Sequence, residues 1–162
     1  MSGASLHFVV PGRLEQKTGG YLYDARMVHG LRARGWTVEL HELDGAFPVG
    51  DDLAIAALED ALATVPDGDR VVIDGLAMGG IPDPVARHAA RLRILSLVHH
   101  PLADETGITP EERTRYTATE RAALAPCAGA IVTSGYTARR LEDFGVPADR
   151  VRAVPPGTVR SE

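Results

Sequence analysis

Arg70-Val71-Val72-Ile73-Asp74 is five residues long, and only its two ends are polar. A strand half-exposed to water alternates apolar and polar positions, whereas one covered on both faces does not. Residues 93–98, Arg-Ile-Leu-Ser-Leu-Val, form another mostly apolar run. The first run therefore predicts a strand covered on both faces, and the second a further strand. Outward from them, strands are expected over 6–10, 37–43, 130–133 and 151–154. Segments of helical spacing separate them, over 20–34, 52–63, 84–91, 111–125 and 136–144, with Pro101–Pro110 irregular. In the first helix Leu22, Ala25, Val28 and Leu31 form an apolar stripe, while Asp24, Arg26, His29 and Arg32 face elsewhere. Gly35 fits a left-handed cap behind it. Strictly alternating strands and helices predict an α/β fold. It is a doubly wound, mostly parallel sheet of three layers, Rossmann-like in plan.

Length and charge narrow the function. The 162 residues make one domain, large enough to hold a core without staples. With 44% hydrophobic and 24% charged residues the chain is neither disordered nor a coiled coil. A net charge of −5 argues against a nucleic-acid partner. The single cysteine, Cys127, excludes an internal disulfide framework and suits a cytoplasmic setting. No apolar run is long enough to span a bilayer. Met1–Val10 has no signal-peptide pattern, so the expected location is cytoplasmic, with room for peripheral contact at the inner face of a membrane. Arginine so outweighs lysine that Lys17 is the only lysine, which we read as genome composition.

Doubly wound sheets bind ligands at the carboxyl ends of their strands. Three segments fall on that rim. Thr18-Gly19-Gly20 opens the first helix; paired glycines let amides approach a phosphate at a helix N-terminus, or else serve a loop of unusual dihedrals. The segment fits neither a Walker A loop nor a dinucleotide fingerprint, and Lys17-Thr18-Gly19 lacks the partner motif of a β-lactamase. His99-His100, after the fourth strand, can bind a sugar hydroxyl or move a proton, or simply cap the strand. Adjacent residues on a strand end point opposite ways, so one histidine faces the cleft, and the spacing disfavours a metal. The third segment, Val154-Pro155-Pro156-Gly157, stops the last strand.

In this order the three segments resemble the glycosyltransferase family 4 type, retaining enzymes of GT-B fold. The resemblance runs from Leu6 to Thr158 and matches their N-terminal, acceptor-side domain. Thr133-Ser134 with Thr137 to Leu141 adds a further match, and Val154 to Gly157 corresponds to the linker into a second domain. The resemblance implies that residues 1–162 are one half of a GT-B enzyme. The C-terminal nucleotide-sugar domain, absent from this chain, would be its partner. It implies His99 as the catalytic residue at the transferred sugar, and Gly19 and Gly20 at the donor diphosphate. The acceptor, a glycan, lipid or small molecule, would lie over Leu14, Asp74, Gly75, His100, Asp104, Glu105 and Ser134. No cofactor or metal is implied; the nucleotide-sugar is the donor substrate. Glu112 and Glu120 have the E-x7-E spacing of the family's other domain, but stand in the wrong half and are taken as coincidence. Two rival readings are a nucleotide-dependent oxidoreductase using Glu42 or Asp44 on a ribose, and a non-catalytic binding module.

Overall fold

The computed structural model describes residues 4–15 and 19–157. Its elements run β1 (Ser5–Pro11), α1 (Gly19–Ala33), β2 (Thr37–Leu43), α2 (Asp52–Ala63), β3 (Arg70–Asp74), α3 (Gly75–Met78), α4 (Pro82–His88) and β4 (Arg93–Val98). They continue with α5 (Pro110–Leu124), β5 (Gly129–Val132), α6 (Gly135–Asp143) and β6 (Val151–Ala153). All six strands are parallel, in the order β2-β1-β3-β4-β5-β6. The expected α/β, Rossmann-like, three-layer plan is therefore present, and it is the plan of one half of a GT-B fold.

Each element has a local cause. Val71, Val72 and Ile73 are all buried, as a strand covered on both faces requires. Gly35 ends α1 with φ +90°, the left-handed cap that only glycine adopts without strain. Asp51 caps α2 by accepting from the Ala54 amide, and Thr109 and Glu112 cap α5 reciprocally. Glu112 is thus a capping residue.

The expected helix over 84–91 is displaced to Pro82–His88, because Pro82 and Pro84 both fit the first turn, where no amide donor is needed. The short α3 was not expected. It forms because the Asp74 side chain accepts from the Leu76 amide and nucleates a turn directly at the end of β3. Leu22, placed by periodicity on the apolar stripe of α1, is 50% exposed and lines a groove on the rim, whereas Val28 one stripe further on is fully buried.

Right-handed crossovers decide how the sheet is covered. Only the β1–β2 connection runs toward one edge; every later one runs toward the other. Accordingly α1 covers one face, where Val28 meets Phe8, Val10, Val72 and Leu97. On the opposite face α2, α4 and α5 pack Leu58, Leu62, Val85 and Ala123 against Val9, Val71, Ile73 and Ile94. Leu141 of α6 extends that layer over Ala130 and Val132. The winding reverses between β1 and β3, which opens a crevice at their carboxyl ends. Among the described residues no helix is long and apolar enough to cross a membrane.

The rim loop after β2 is locked to the α3–α4 turn by close backbone approach. A Cβ at Gly80 would lie 1.9 Å from the Pro48 carbonyl oxygen. Gly80→Ala should therefore destabilise the fold by about 1–3 kcal/mol, the usual cost of overpacking a site that cannot relax. A lowered melting temperature checks this; an unchanged one would mean that the loop moves freely.

Candidate functional site

The rim crevice is built around His99. Its Nε2 lies 3.1 Å from Asp24 Oδ1 and 3.4 Å from Asp74 Oδ2. The three residues come from the second turn of α1, the end of β3 and the residue after β4. Both aspartates are buried, while the His99 side chain is 20% exposed. Nε2 thus faces the two buried carboxyls, and the ring is the partly exposed member of the trio. Among the described residues His99 Nδ1 has no hydrogen-bond partner.

The backbone of His99 is fixed as firmly as its ring. Thr133 and Thr137 both donate hydroxyl hydrogens to its carbonyl oxygen, at 3.3 and 3.2 Å. Ser134 caps α6 by accepting from the Thr137 amide, and its own hydroxyl donates to Thr137 Oγ1. The Thr-Ser segment after β5 therefore positions the histidine. Tyr23 meets the imidazole edge-on at 5.4 Å and donates its hydroxyl to the Val154 carbonyl, which links His99 to the segment leading out of β6. Glu120 acts from behind. Both its oxygens accept from the Leu102 amide at 3.0 Å, anchoring the loop that follows the histidines.

Burial and charge set the protonation. Burial pushes the Asp24 carboxyl up to about 8; neighbouring Asp74 adds to this and His99 opposes it. Burial acts on Asp74 in the same direction, but hydrogen bonds from His99, Asp24 and the Leu76 amide outweigh it, and Asp74 ends below its ordinary value. For His99 burial favours the neutral ring, yet the two carboxyls prevail and raise it to about 9. At neutral pH the trio is an imidazolium, one carboxylate and one protonated carboxyl. Such a histidine donates a hydrogen bond and positive charge; it is not a base.

Two grooves meet at this point, and His99 and Gly20 line both. The larger, about 590 Å³, runs along α1 past Leu22, Tyr23 and Arg26 to the Val154–Gly157 segment. The smaller, about 200 Å³, lies over Asp74, Gly75, His100 and Glu105. Gly20 is in the first turn of α1, with helical rather than left-handed backbone. A Cβ there would lie 3.6 Å from His99 Cδ2, ordinary contact, so a small side chain would fit. The first turn of α1 carries no acidic residue, a composition compatible with an anion at the helix start. Gly19 opens the same helix, and Thr18 lies outside the described residues.

The sequence candidates are distributed as follows. His99, Gly20, Asp74, Gly75, His100 and Glu105 converge on the smaller groove. Both histidines therefore line that groove, where a single one was expected, and His100 pairs with Glu105 at 2.7 Å. Asp104 is held by both guanidinium nitrogens of Arg140, at 2.6 and 2.9 Å, and that bond keeps its carboxyl below the usual range. Leu14 is buried in the cluster around Phe8 and Val10. Glu42 accepts from the Leu14 amide, and Asp44 faces Arg13 at 3.6 Å. Both are thus engaged by the first loop.

Asp24 and Glu120 escaped the sequence reading. Periodicity sets Asp24 off the apolar stripe of α1 and says no more, but it follows Gly20 by four residues, one helical turn. The face that brings a glycine against the rim also carries Asp24 beneath it. Glu120, noted in the sequence only for its coincidental spacing from Glu112, carried no signal of this anchoring role.

Folding raises the proton affinity of His99 from 6.5 to about 9 and of Asp24 from 3.8 to about 8. The folded chain holds more protons than the unfolded one across this window, so stability falls as pH rises. The His99 contribution is complete below 6.5 and lost above about 9, while the Asp24 penalty grows from 3.8 to about 8. The melting temperature should fall between neutral pH and about pH 9. It should fall less steeply in the double variant Asp24→Asn, His99→Gln. Equal slopes in both proteins would contradict the assignment.

A family model described as Glycosyltransferase Family 4 matches residues 71–161, more than half of the chain. The match takes in β3, Asp74, His99, the Thr133–Thr137 brace and the Val154–Gly157 segment; α1, with Gly20 and Asp24, precedes it. Comparison with curated proteins finds no match. With the GT-B half-fold and the order of rim segments both in place, the chain belongs to glycosyltransferase family 4.

Proposed function

We propose that this chain is the acceptor-side half of a retaining glycosyltransferase, which moves a sugar from a nucleotide-sugar to an acceptor across the rim crevice. The observation that carries this reading is His99, held by two buried carboxyls at the meeting point of two grooves. The smaller groove takes the acceptor, over Asp74, Gly75, His100 and Glu105. The larger groove faces a second domain, which joins through the Val154–Gly157 segment and binds most of the nucleotide.

Breaking the bond between sugar and diphosphate builds negative charge on the leaving group. A fixed positive charge and oriented amides stabilise that charge most where water is excluded. His99 supplies the first. Its Nε2 hydrogen is committed inward to Asp24 and Asp74, so the Nδ1 hydrogen is the one offered to a sugar hydroxyl or a diphosphate oxygen. The first turn of α1, at Gly19 and Gly20, supplies the amides. Asp24 and Asp74 are positioning residues. They hold the ring and its charge and need not touch the substrate. No metal is needed if the second domain adds further positive charge.

The chain alone should melt cooperatively yet show no nucleotide-sugar turnover, because half of the donor site is supplied elsewhere. In the complete two-domain enzyme His99→Ala should lower kcat by about 10²-fold or more, and His100→Ala by less. The reverse order would place the wrong histidine in the crevice, and robust transfer by these residues alone would overturn the two-domain reading.

A further inference from the structure

Toward the opposite end of the sheet a second cluster joins β1 to β2. His7 stands in register with Glu39, and Val9 with His41. Alternate residues of a strand share a face, so His7, Glu39 and His41 all project from the same side of the two strands. His7 Nδ1 lies 3.0 Å from His41 Nε2 and 3.3 Å from Glu39 Oε2. Its other nitrogen, Nε2, lies 3.3 Å from Asp69 Oδ2. His7 is buried, and a groove of about 250 Å³ opens beside it.

Both ring nitrogens of His7 face groups that can ligate a cation or accept a hydrogen. A neutral imidazole carries one N–H. With that hydrogen on Nε2, donated to Asp69, His7 Nδ1 presents a lone pair. It faces a carboxylate oxygen and a second imidazole nitrogen. In that tautomer Nδ1 and Glu39 Oε2 are two acceptors 3.3 Å apart, a contact that either a second proton on His7 or a cation between them relieves.

We propose that His7 Nδ1, His41 Nε2 and a Glu39 oxygen bind one divalent transition-metal ion of the zinc class. The spacing fits. Metal–ligand bonds of about 2.0–2.1 Å place neighbouring ligand atoms about 3.3–3.4 Å apart in a tetrahedron, and somewhat closer in an octahedron. The observed 3.0 and 3.3 Å match these edges. Asp69 completes the carboxylate–histidine–metal arrangement that fixes a ligand's tautomer. Two imidazoles and one carboxylate select zinc, nickel, copper or cobalt over magnesium or calcium. The remaining coordination position faces the groove, where water fills it. The ion clips β1 to β2 and so stabilises the fold. It lies away from the carboxyl rim and takes no part in sugar transfer.

The test uses the untagged chain freed of metal with a chelator. Zn2+ titrated by calorimetry should bind at one equivalent and raise the melting temperature, and Co2+ should give the strong visible bands of a four-coordinate site. His41→Gln and Glu39→Gln, at partly exposed positions, should keep the metal-free melting temperature and weaken Zn2+ binding at least tenfold. Asp69→Asn should weaken it about 10-fold or more, and His99→Ala should leave it unchanged. No uptake, or uptake indifferent to His41→Gln and Glu39→Gln, would overturn the proposal and leave an ordinary hydrogen-bonded cluster. Uptake abolished by His99→Ala would overturn it too, by placing the ion at the rim.

Discussion

One imidazole nitrogen between two buried carboxyls governs the rim of this domain. Removing Asp24 and Asp74 from water would cost several kcal/mol each if both stayed ionised and unpaired. Here the cost is offset in two ways. His99 brings a positive charge within hydrogen-bonding distance of both, and one of the carboxyls keeps its proton. The balance works in both directions. The carboxyls need the imidazolium, and the imidazolium, half desolvated, needs them.

That balance explains why so much of the fold converges on one residue. Asp24 must come from a helix that crosses the crevice, and Asp74 from the strand beside it. The reversal of winding between β1 and β3 brings the start of α1 over the ends of β3 and β4, and so makes the meeting possible. Asp74 has a second task as the cap of α3, so the same carboxyl ends a strand, starts a helix and charges a histidine. Thr133, Ser134 and Thr137 then fix the His99 backbone from the far side. In the proposed enzyme the crevice would receive a single N–H edge with its direction and charge set in advance. Preorganisation of this kind suits a site where charge appears only in the transition state.

The fold was legible because the strands advertise themselves. Val71 to Ile73 and Ile94 to Val98 have almost no polar positions, and Gly35 and Pro155 mark where elements stop. The rim was legible in outline, since strand ends follow directly from the strands. Charge pairs across the crevice were not. Asp24 and His99 are 75 positions apart, and nothing local tells a buried aspartate on a helix from a solvated one. The same holds for Glu120, whose partner amide belongs to a loop 18 residues earlier. Helical periodicity also misled at Leu22, because the first turn of α1 borders a groove instead of the core. The His7–Glu39–His41 cluster lay beyond sequence reading for a related reason: it depends on the parallel register of β1 and β2.

His99 is a positioned imidazolium rather than a free histidine. An NMR titration of the His99 ring in the intact chain, using nitrogen-15 to follow each ring nitrogen separately, reads this directly. Protonation of both nitrogens persisting to about pH 9 is the predicted result. A large drop toward the ordinary histidine value should follow in Asp74→Asn. A ring that titrates near 6.5, unaffected by Asp74→Asn, would contradict it.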